Sequence, residues 1–524
     1  MSPPLDPAIW PSLRLALHIA FFMAIFFLLK QILELREMAQ LRHLARPKGA
    51  FRIPLVMIAI AFGALLIYQA SWQLTGMLRP QFIAFMQLHD RREFNPAHWI
   101  RRGRILDRNG EVLAYSEEIQ GKVYRLYPDG PVFSPVVGYS QPRFGSTGME
   151  AVANVHLNGG APADLSGWGE LGRQIVGGGQ GPRGQDLRLT LDADLQRMAV
   201  ARIGERRGAI LLMDPNDGDI LVLASVPSYD PNRISSDLFM SQDPSAPLLN
   251  RVTQGLYPPG STFKIAVAAM ALERGFDERI DCPADGYTTS SRYPKIRDHE
   301  YYSALEHGSR WKGHGRIDMR RALSRSSNVF FAKLGVIEGH DAFRALGERM
   351  LMNRQITLHR TPYGTYAMRT GRMPRLSDRD LYGLAQLAIG QGKLLVTPAY
   401  MGLLTAAVAR QGIAVRPRLL DRDPPQGVAR FMSADTANRL ADMMRTVVAE
   451  GTARGIDTPD LSIAGKTGTA QNPQGASHSW FVGFAPTQRP TLAIAVLVEE
   501  GGYGSAVAAP IARDLLLAAH AKGD

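Results

Sequence analysis

Residues 257–274 read YPPGSTFKIAVAAMALER. Two prolines and a glycine forbid regular structure up to Gly260, and eight apolar residues follow Lys264. A helix starting near Ser261 puts Lys264 one turn on, beside the serine. A helix apolar on all sides is a buried one, so it must take a lysine inside with it. Burying an ammonium is costly unless it is paired or uncharged. Two readings follow: an N-cap serine with a snorkelling lysine behind it, or a base held beside a nucleophile. A lone Ser-x-x-Lys does not decide between them. Chance supplies about two in a chain this long, and Ser309–Lys312, SRWK, is a second copy with no apolar helix behind it.

Two further stretches decide. SRSSNVFFAKLG carries Ser326-Ser327-Asn328, and IAGKTGTAQN carries Lys466-Thr467-Gly468 on a strand. Each alone reads as a turn or an edge strand. In the order Ser-x-x-Lys, Ser-x-Asn, Lys-Thr-Gly they form an acyl-transfer set. Ser261 is a poor nucleophile until a base takes its proton. Lys264 serves as that base only when neutral, and burial plus a second cation at Lys466 both favour neutrality. Ser326 can relay a proton to a leaving amine, and Asn328 can hold Lys264 or a substrate amide. Lys466 and Thr467 suit a substrate carboxylate, and Gly468 lets a substrate lie close along the strand. The backbone N–H groups of Ser261 and Thr469 are the expected oxyanion hole.

The N-terminus sets the compartment. Residues 15–29 are apolar apart from His18, and residues 53–68 carry no charge. With their flanks, about 10–30 and 52–74, each reaches the ~20 residues that span a bilayer. The loop between them holds six basic residues, from Lys30 to Arg52, against Glu34 and Glu37, and residues 1–13 hold no lysine or arginine. The positive-inside rule puts residues 31–51 in the cytoplasm and everything after the second helix outside. The formal charge is +12 and the single cysteine, Cys282, forms no internal disulfide. A basic chain can meet nucleic acid, an anionic membrane or an anionic polymer; two membrane spans with an outside catalytic part leave nucleic acid out.

The remainder reads as α+β. RRGRILDRNGEVLAYS, 101–116, is an expected hairpin with Asn109-Gly110 at its tip. KVYRLY and PVVGY look strand-like, and GGGQGPRGQ, 177–185, looks like a linker. A second domain opens at LRLTLDADLQRMAVARI, where Asp192 signals a helix start. GAILLMD and GDILVLAS form an expected hairpin through 215–217. Helices at YGLAQLAIGQG and PAYMGLLTAAVARQG end at glycines. Strands at IAGKTGTAQ, SHSWFVGFAP and TLAIAVLVEE precede a last helix, AAPIARDLLLAAHA. The division expected is a membrane region over 1–80, a small β-rich domain over 81–187, and a catalytic domain over 188–524.

At this point the chain resembles the class B penicillin-binding proteins, monofunctional peptidoglycan D,D-transpeptidases. RGRILDRNGEVLA and GSTGMEAVANVHLNG are similar to that family's non-catalytic pedestal, a dimerisation-like domain. TLDADLQ, GAILLMDPNDGDILVLASVPSYDPN, YPPGSTFK, HSWFVGFAP and AAPIA are similar to its transpeptidase domain, an antiparallel sheet flanked by helices. The resemblance implies that Ser261 attacks the D-Ala-D-Ala end of a stem peptide and passes the acyl group to a neighbouring stem-peptide amine. It implies that β-lactams acylate Ser261, that no cofactor is needed, and that a SEDS-type glycan polymerase is a partner at the inner membrane. Two N-terminal helices depart from the family's usual one. Residues 75–190 are too short for a glycosyltransferase domain, which argues against class A. Cys282, His299, His307 and His314 match no zinc spacing, so no metal is expected. A D,D-carboxypeptidase, and a β-lactam sensor or polymerase-activating scaffold, remain open on the same fold.

Overall fold

The computed structural model describes residues 30, 52–77, 101–120, 122–141, 143–159, 184–361, 364–472 and 475–523. The expected first membrane helix and cytoplasmic loop, apart from Lys30, lie outside the described residues, as does most of the glycine-rich stretch 177–185. The chain divides into two units, Met1–Phe82 and Ile83–Asp524.

In the first unit Arg52–Met77 forms a 26-residue helix, α1, at the second expected span. Val56, Ile60, Phe62, Leu66 and Ile67 are exposed on it. Among the described residues no helix is long and apolar enough to cross a membrane; the described side chains of α1 are Pro54 and Val56–Gln69.

The second unit begins with a four-stranded sheet. Strands β1 (Ile105–Leu106) and β2 (Val112–Ile119) make the expected hairpin. Asp107 closes it, accepting the Asn109 and Glu111 N–H groups at 2.8 and 2.7 Å. β3 (Lys122–Leu126) pairs with β2, and β4 (Leu187–Arg188) runs parallel to β1, giving the order β3-β2-β1-β4. PVVGY is not strand: Ser134–Val137 is a short helix. Pro135, near its start, fixes φ in the helical range and has no N–H to offer a ladder.

The Gly-Met-Glu stretch folds around Glu150, a fully buried carboxylate. Arg102 Nη2 and Arg125 Nε each reach it at 2.6 Å. Burial pushes its pKa up, and the two guanidinium groups more than offset that, leaving it below the usual value.

The catalytic part holds helices α2 (Ala193–Ile203), α3 (Lys264–Glu273), α4 (Met319–Arg325), α5 (Asn328–Arg349), α6 (Leu381–Ala388), α7 (Pro398–Ala409), α8 (Ala434–Ala449) and α9 (Ala508–Gly523). Asp192 caps α2 as expected, accepting the Leu195 N–H at 3.0 Å. The main sheet is β5 (Gly208–Met213), β6 (Ile220–Val226), β7 (Ala464–Asn472), β8 (Gly475–Ala485) and β9 (Leu492–Val498), in the order β7-β8-β9-β5-β6. Every neighbouring pair is antiparallel. α2 and α9 pack together against the sheet, and α7 packs on it without them. With helices on both faces, every residue of β5 and β9 is buried, which is why both read as unbroken apolar runs rather than alternating ones. β7 is left at the edge, beside the turn that enters α3.

Among the pairs the sequence does not signal is a hairpin of Gln355–Thr361 with Gly364–Arg369. It reaches back to the stretch between β3 and β4: Tyr366 OH donates to Pro135 O at 2.8 Å and Thr361 Oγ1 to Val152 O at 2.8 Å.

Candidate active site

Residues Gly260–Phe263 make one turn of 3-10 helix before α3 begins at Lys264. A 3-10 turn eclipses residues three apart, so Ser261 and Lys264 share one side. α3 is buried from Lys264 to Leu272. The turn is wedged from two directions. Gly260 has φ +54°, its N–H donates to Gly390 O at 2.9 Å, and a Cβ on it would lie 2.7 Å from Thr469 O. Gly390 has φ +75°, and a Cβ there would lie 1.9 Å from Gly260 O. Thr262 Oγ1 donates to Pro259 O at 2.7 Å, and Trp480 Nε1 donates to Pro258 O at 3.0 Å.

Lys264 is wholly buried and fully engaged. Its Nζ donates to Ser326 O at 2.7 Å and to Asn328 Oδ1 at 2.8 Å, with Ser326 Oγ at 3.5 Å. Lys466, also wholly buried, donates from Nζ to Ser326 Oγ at 2.9 Å and to Thr467 O at 2.9 Å. The Ser326 hydroxyl therefore stands between two amines. Ser326, Asn328, Ser261 and Thr469 are the half-buried members of the set, whereas both amines are wholly buried.

Burial pushes the Lys264 amine down to about 7, against the carboxylates of Asp298 and Glu300, which act to raise it. Burial, and then the charge of Lys264, hold Lys466 well below an ordinary lysine. Two buried amines sharing one hydroxyl disfavour each other's charge. Carboxylates lie near Lys264, so it is the more readily protonated of the pair.

Lys264, Ser326, Asn328 and Lys466 thus meet in one place, with Ser261 on the turn that enters α3. Ser326, Asn328 and Lys466 all close on Lys264, directly or through one hydroxyl. Thr467 Oγ1 pairs with Thr452 Oγ1 at 2.6 Å. Gly468 faces the entry turn, where a Cβ would lie 2.8 Å from Thr262 Cγ2 and 3.2 Å from Pro259 O. The second Ser-x-x-Lys stays outside: Ser309 and Lys312 are exposed. Among the described residues no group of three or more His, Cys, Asp or Glu side chains is placed to hold a metal ion. Sequence reasoning missed Asp298, Arg297, Gly390 and Thr452. None belongs to a short motif, and only Gly390 left a trace, as one of the glycines ending AIGQG.

Fold and site together define a class: serine acyl-transferring enzymes with a lysine beside the nucleophile, built on a five-stranded antiparallel sheet. A family model described as the penicillin binding protein transpeptidase domain matches residues 208–517, and one described as the penicillin binding protein A dimerisation domain matches residues 102–181. The peptidoglycan D,D-transpeptidase PbpA of Mycolicibacterium smegmatis is 31% identical over 463 residues, covering 81% of this chain and 90% of that protein. The peptidoglycan D,D-transpeptidase MrdA of Acinetobacter baumannii is 30% identical over 449 residues, covering 74% and 65%. Among solved structures, the ceftriaxone acyl-enzyme of penicillin-binding protein A from Mycobacterium tuberculosis superposes with a TM-score of 0.70 at 28% identity, covering 81% of this chain and 99% of that one. Pseudomonas aeruginosa PBP2 superposes with a TM-score of 0.65 at 31% identity, covering 79% and 94%. The chain belongs to the class B penicillin-binding proteins, the peptidoglycan D,D-transpeptidases.

Proposed function

We propose that Ser261 is the nucleophile of peptidoglycan cross-linking and Lys264 its base. The observation that carries this reading is the Lys264 amine, wholly buried, held by Ser326 and Asn328, and lowered to about 7. Neutral Lys264 takes the Ser261 proton as Oγ attacks the carbonyl carbon of the penultimate D-alanine. The oxyanion meets the N–H groups of Ser261 and Thr469. In a strand the N–H and C=O of one residue point the same way, and Thr469 O already abuts Gly260. The peptide C–N bond then breaks. The proton on Lys264 passes through Ser326 Oγ, hydrogen-bonded to Lys466, to the departing D-alanine amine. A stem-peptide amine next attacks the ester, loses a proton to Lys264, and restores Ser261. A β-lactam enters by the first step, its ring C–N bond opening onto Ser261.

The carboxylate of the donor peptide lies along β7, where Thr467 and Thr469 offer hydroxyls, while Gly468 lets the entry turn pack close against the strand. Its charge favours a proton on Lys466 behind them, so substrate binding itself readies the relay.

The same reading assigns residues 1–80 to the membrane, 81–187 to a pedestal and 188–524 to the transpeptidase, on the outer side of the cytoplasmic membrane. Its support is the uncharged run of residues 53–68, with apolar side chains exposed along α1, and the basic loop before it. A SEDS-type polymerase as partner rests on the family resemblance and is tested by co-purification from membranes. Replacing Ser261 by Ala should abolish labelling by a fluorescent penicillin, and labelling that persists would remove Ser261 as nucleophile. Supplying an amine acceptor with a D-Ala-D-Ala donor distinguishes transfer from hydrolysis.

A further inference from the structure

The Ser-x-Asn turn is held from behind by a residue outside every motif. Asp298 is 2% exposed. Its two oxygens accept the Ser327 hydroxyl at 3.0 and 3.1 Å, and Oδ1 also accepts the Val329 N–H at 3.0 Å. The residue before it grips the turn too: Arg297 O accepts Asn328 Nδ2 at 3.0 Å. Three consecutive residues, 327 to 329, are thus tied to two, 297 and 298.

What this holds is a strained and consequential piece of backbone. Ser326 sits at φ +59°, ψ 34°, in the left-handed region. A non-glycine residue stays there only when its surroundings over-determine it. That conformation turns the Ser326 carbonyl onto Lys264 and its hydroxyl toward Lys466. With Asn328 Nδ2 anchored on Arg297, Oδ1 is the atom left to face Lys264.

The side chain is also placed against its own local interest. Asp298 occupies the N-cap position of the helix His299–Glu306 but makes no capping bond there. It caps the start of α5 instead, across the fold. Aspartate is among the best N-cap residues for its own helix, so its use elsewhere marks a second demand.

We propose that Asp298 is a positioning residue for acyl transfer, fixing Ser326 and Asn328 against the Lys264 amine and supplying negative charge to the wall behind that amine. This deepens the proposed function and rests on Lys264 being the base. The charged groups around the amine are Lys466 on β7 and the carboxylates of Asp298 and Glu300; His314 faces those carboxylates, its Nε2 3.7 Å from Asp298 and 3.6 Å from Glu300. Arg297 points its guanidinium at the Tyr301 ring, 4.6 Å away, and Cys282 Sγ lies 3.9 Å from Ser327 Oγ.

The test measures the second-order rate of acylation by penicillin against pH, with melting temperature recorded for each variant. Asp298→Asn keeps an acceptor oxygen but removes the charge. Lys264 then loses an influence that raises its pKa, so the acid limb of the profile should move to lower pH. Glu300→Gln, part-exposed and outside the clamp, should move the limb the same way with the plateau rate unchanged. Ser327→Ala removes the hydroxyl that Asp298 holds. It should lower the plateau about tenfold to a hundredfold with the limb unmoved, as expected for sub-ångström misplacement of a reacting group. A limb that stays in place or moves up in both charge variants overturns the electrostatic role, and a wild-type plateau in Ser327→Ala overturns the clamp. Loss of melting temperature with an unmoved limb in Asp298→Asn leaves only a structural role and also overturns the proposal. Failure of the wild-type enzyme to acylate would refute the parent reading instead, so the two are distinguishable.

Discussion

Acylation of this enzyme should switch on as Lys264 loses its proton. Burial takes the amine from an ordinary 10.5 to about 7. That fall corresponds to roughly 5 kcal/mol against the charged form. At pH 7 an ordinary lysine is neutral in about one molecule in three thousand, whereas Lys264 is neutral in about half. The gain in competent base is about a thousandfold, within the range ascribed to general base catalysis. The measurement is the second-order rate constant for a fluorescent penicillin at concentrations far below saturation, which reports ionisations of the free enzyme. Between about pH 5.5 and 8.5 the rate should climb roughly thirtyfold and bend near 7. Lys264→Arg, charged at every accessible pH, should abolish it. A flat profile, or a rise that continues unbent toward pH 10, would refute the argument that a buried neutral lysine is the base.

The same burial has a signature in stability. The unfolded chain holds the Lys264 proton up to about 10.5 and the folded one only to about 7, so this group's contribution rises with pH across that window; Lys264→Met should flatten the rise in melting temperature. Gly390→Ala places a methyl 1.9 Å from Gly260 O at a left-handed φ, and should lower penicillin acylation by at least tenfold without loss of Lys264. Glu150→Ala leaves Arg102 and Arg125 buried and unpaired and should cost about 3–5 kcal/mol in urea unfolding. Because Glu150 titrates below its ordinary 4.5, its stabilisation holds above that pH and is lost as pH falls through the lowered folded value. Thr452→Val strips the buried Thr467 hydroxyl of its partner and should cost about 1–3 kcal/mol of stability while Ser261 still acylates.

Much of this molecule was legible before any coordinates. The hairpin at Asn109-Gly110, the Asp192 cap and the five strands of the main sheet follow from local chemistry: turn residues, capping side chains and apolar runs of strand length. The site was legible because three short motifs each keep their reactive groups within four residues of one another. What failed was also local in cause. PVVGY has β-branched residues, yet Pro135 near its start makes it a helical turn. The hairpin over residues 355–369 mixes charged and apolar residues, and its purpose, contact with Pro135 and Val152, lies more than 200 positions away.

The sequence by itself determined which groups the proposed reaction uses, because Ser261, Lys264, Ser326, Asn328 and Lys466 are written in short motifs. It also determined the sheet, since apolar runs long enough for a strand and covered on both sides have few other fates. Only the tertiary structure decided the state of those groups. Whether Lys264 is neutral depends on desolvation by residues far away in the chain and on Asp298, none of which a motif contains. Whether Ser326 points its carbonyl at Lys264 depends on a left-handed turn pinned from outside. Charge state and aim are properties of surroundings, and surroundings exist only once the chain has closed on itself.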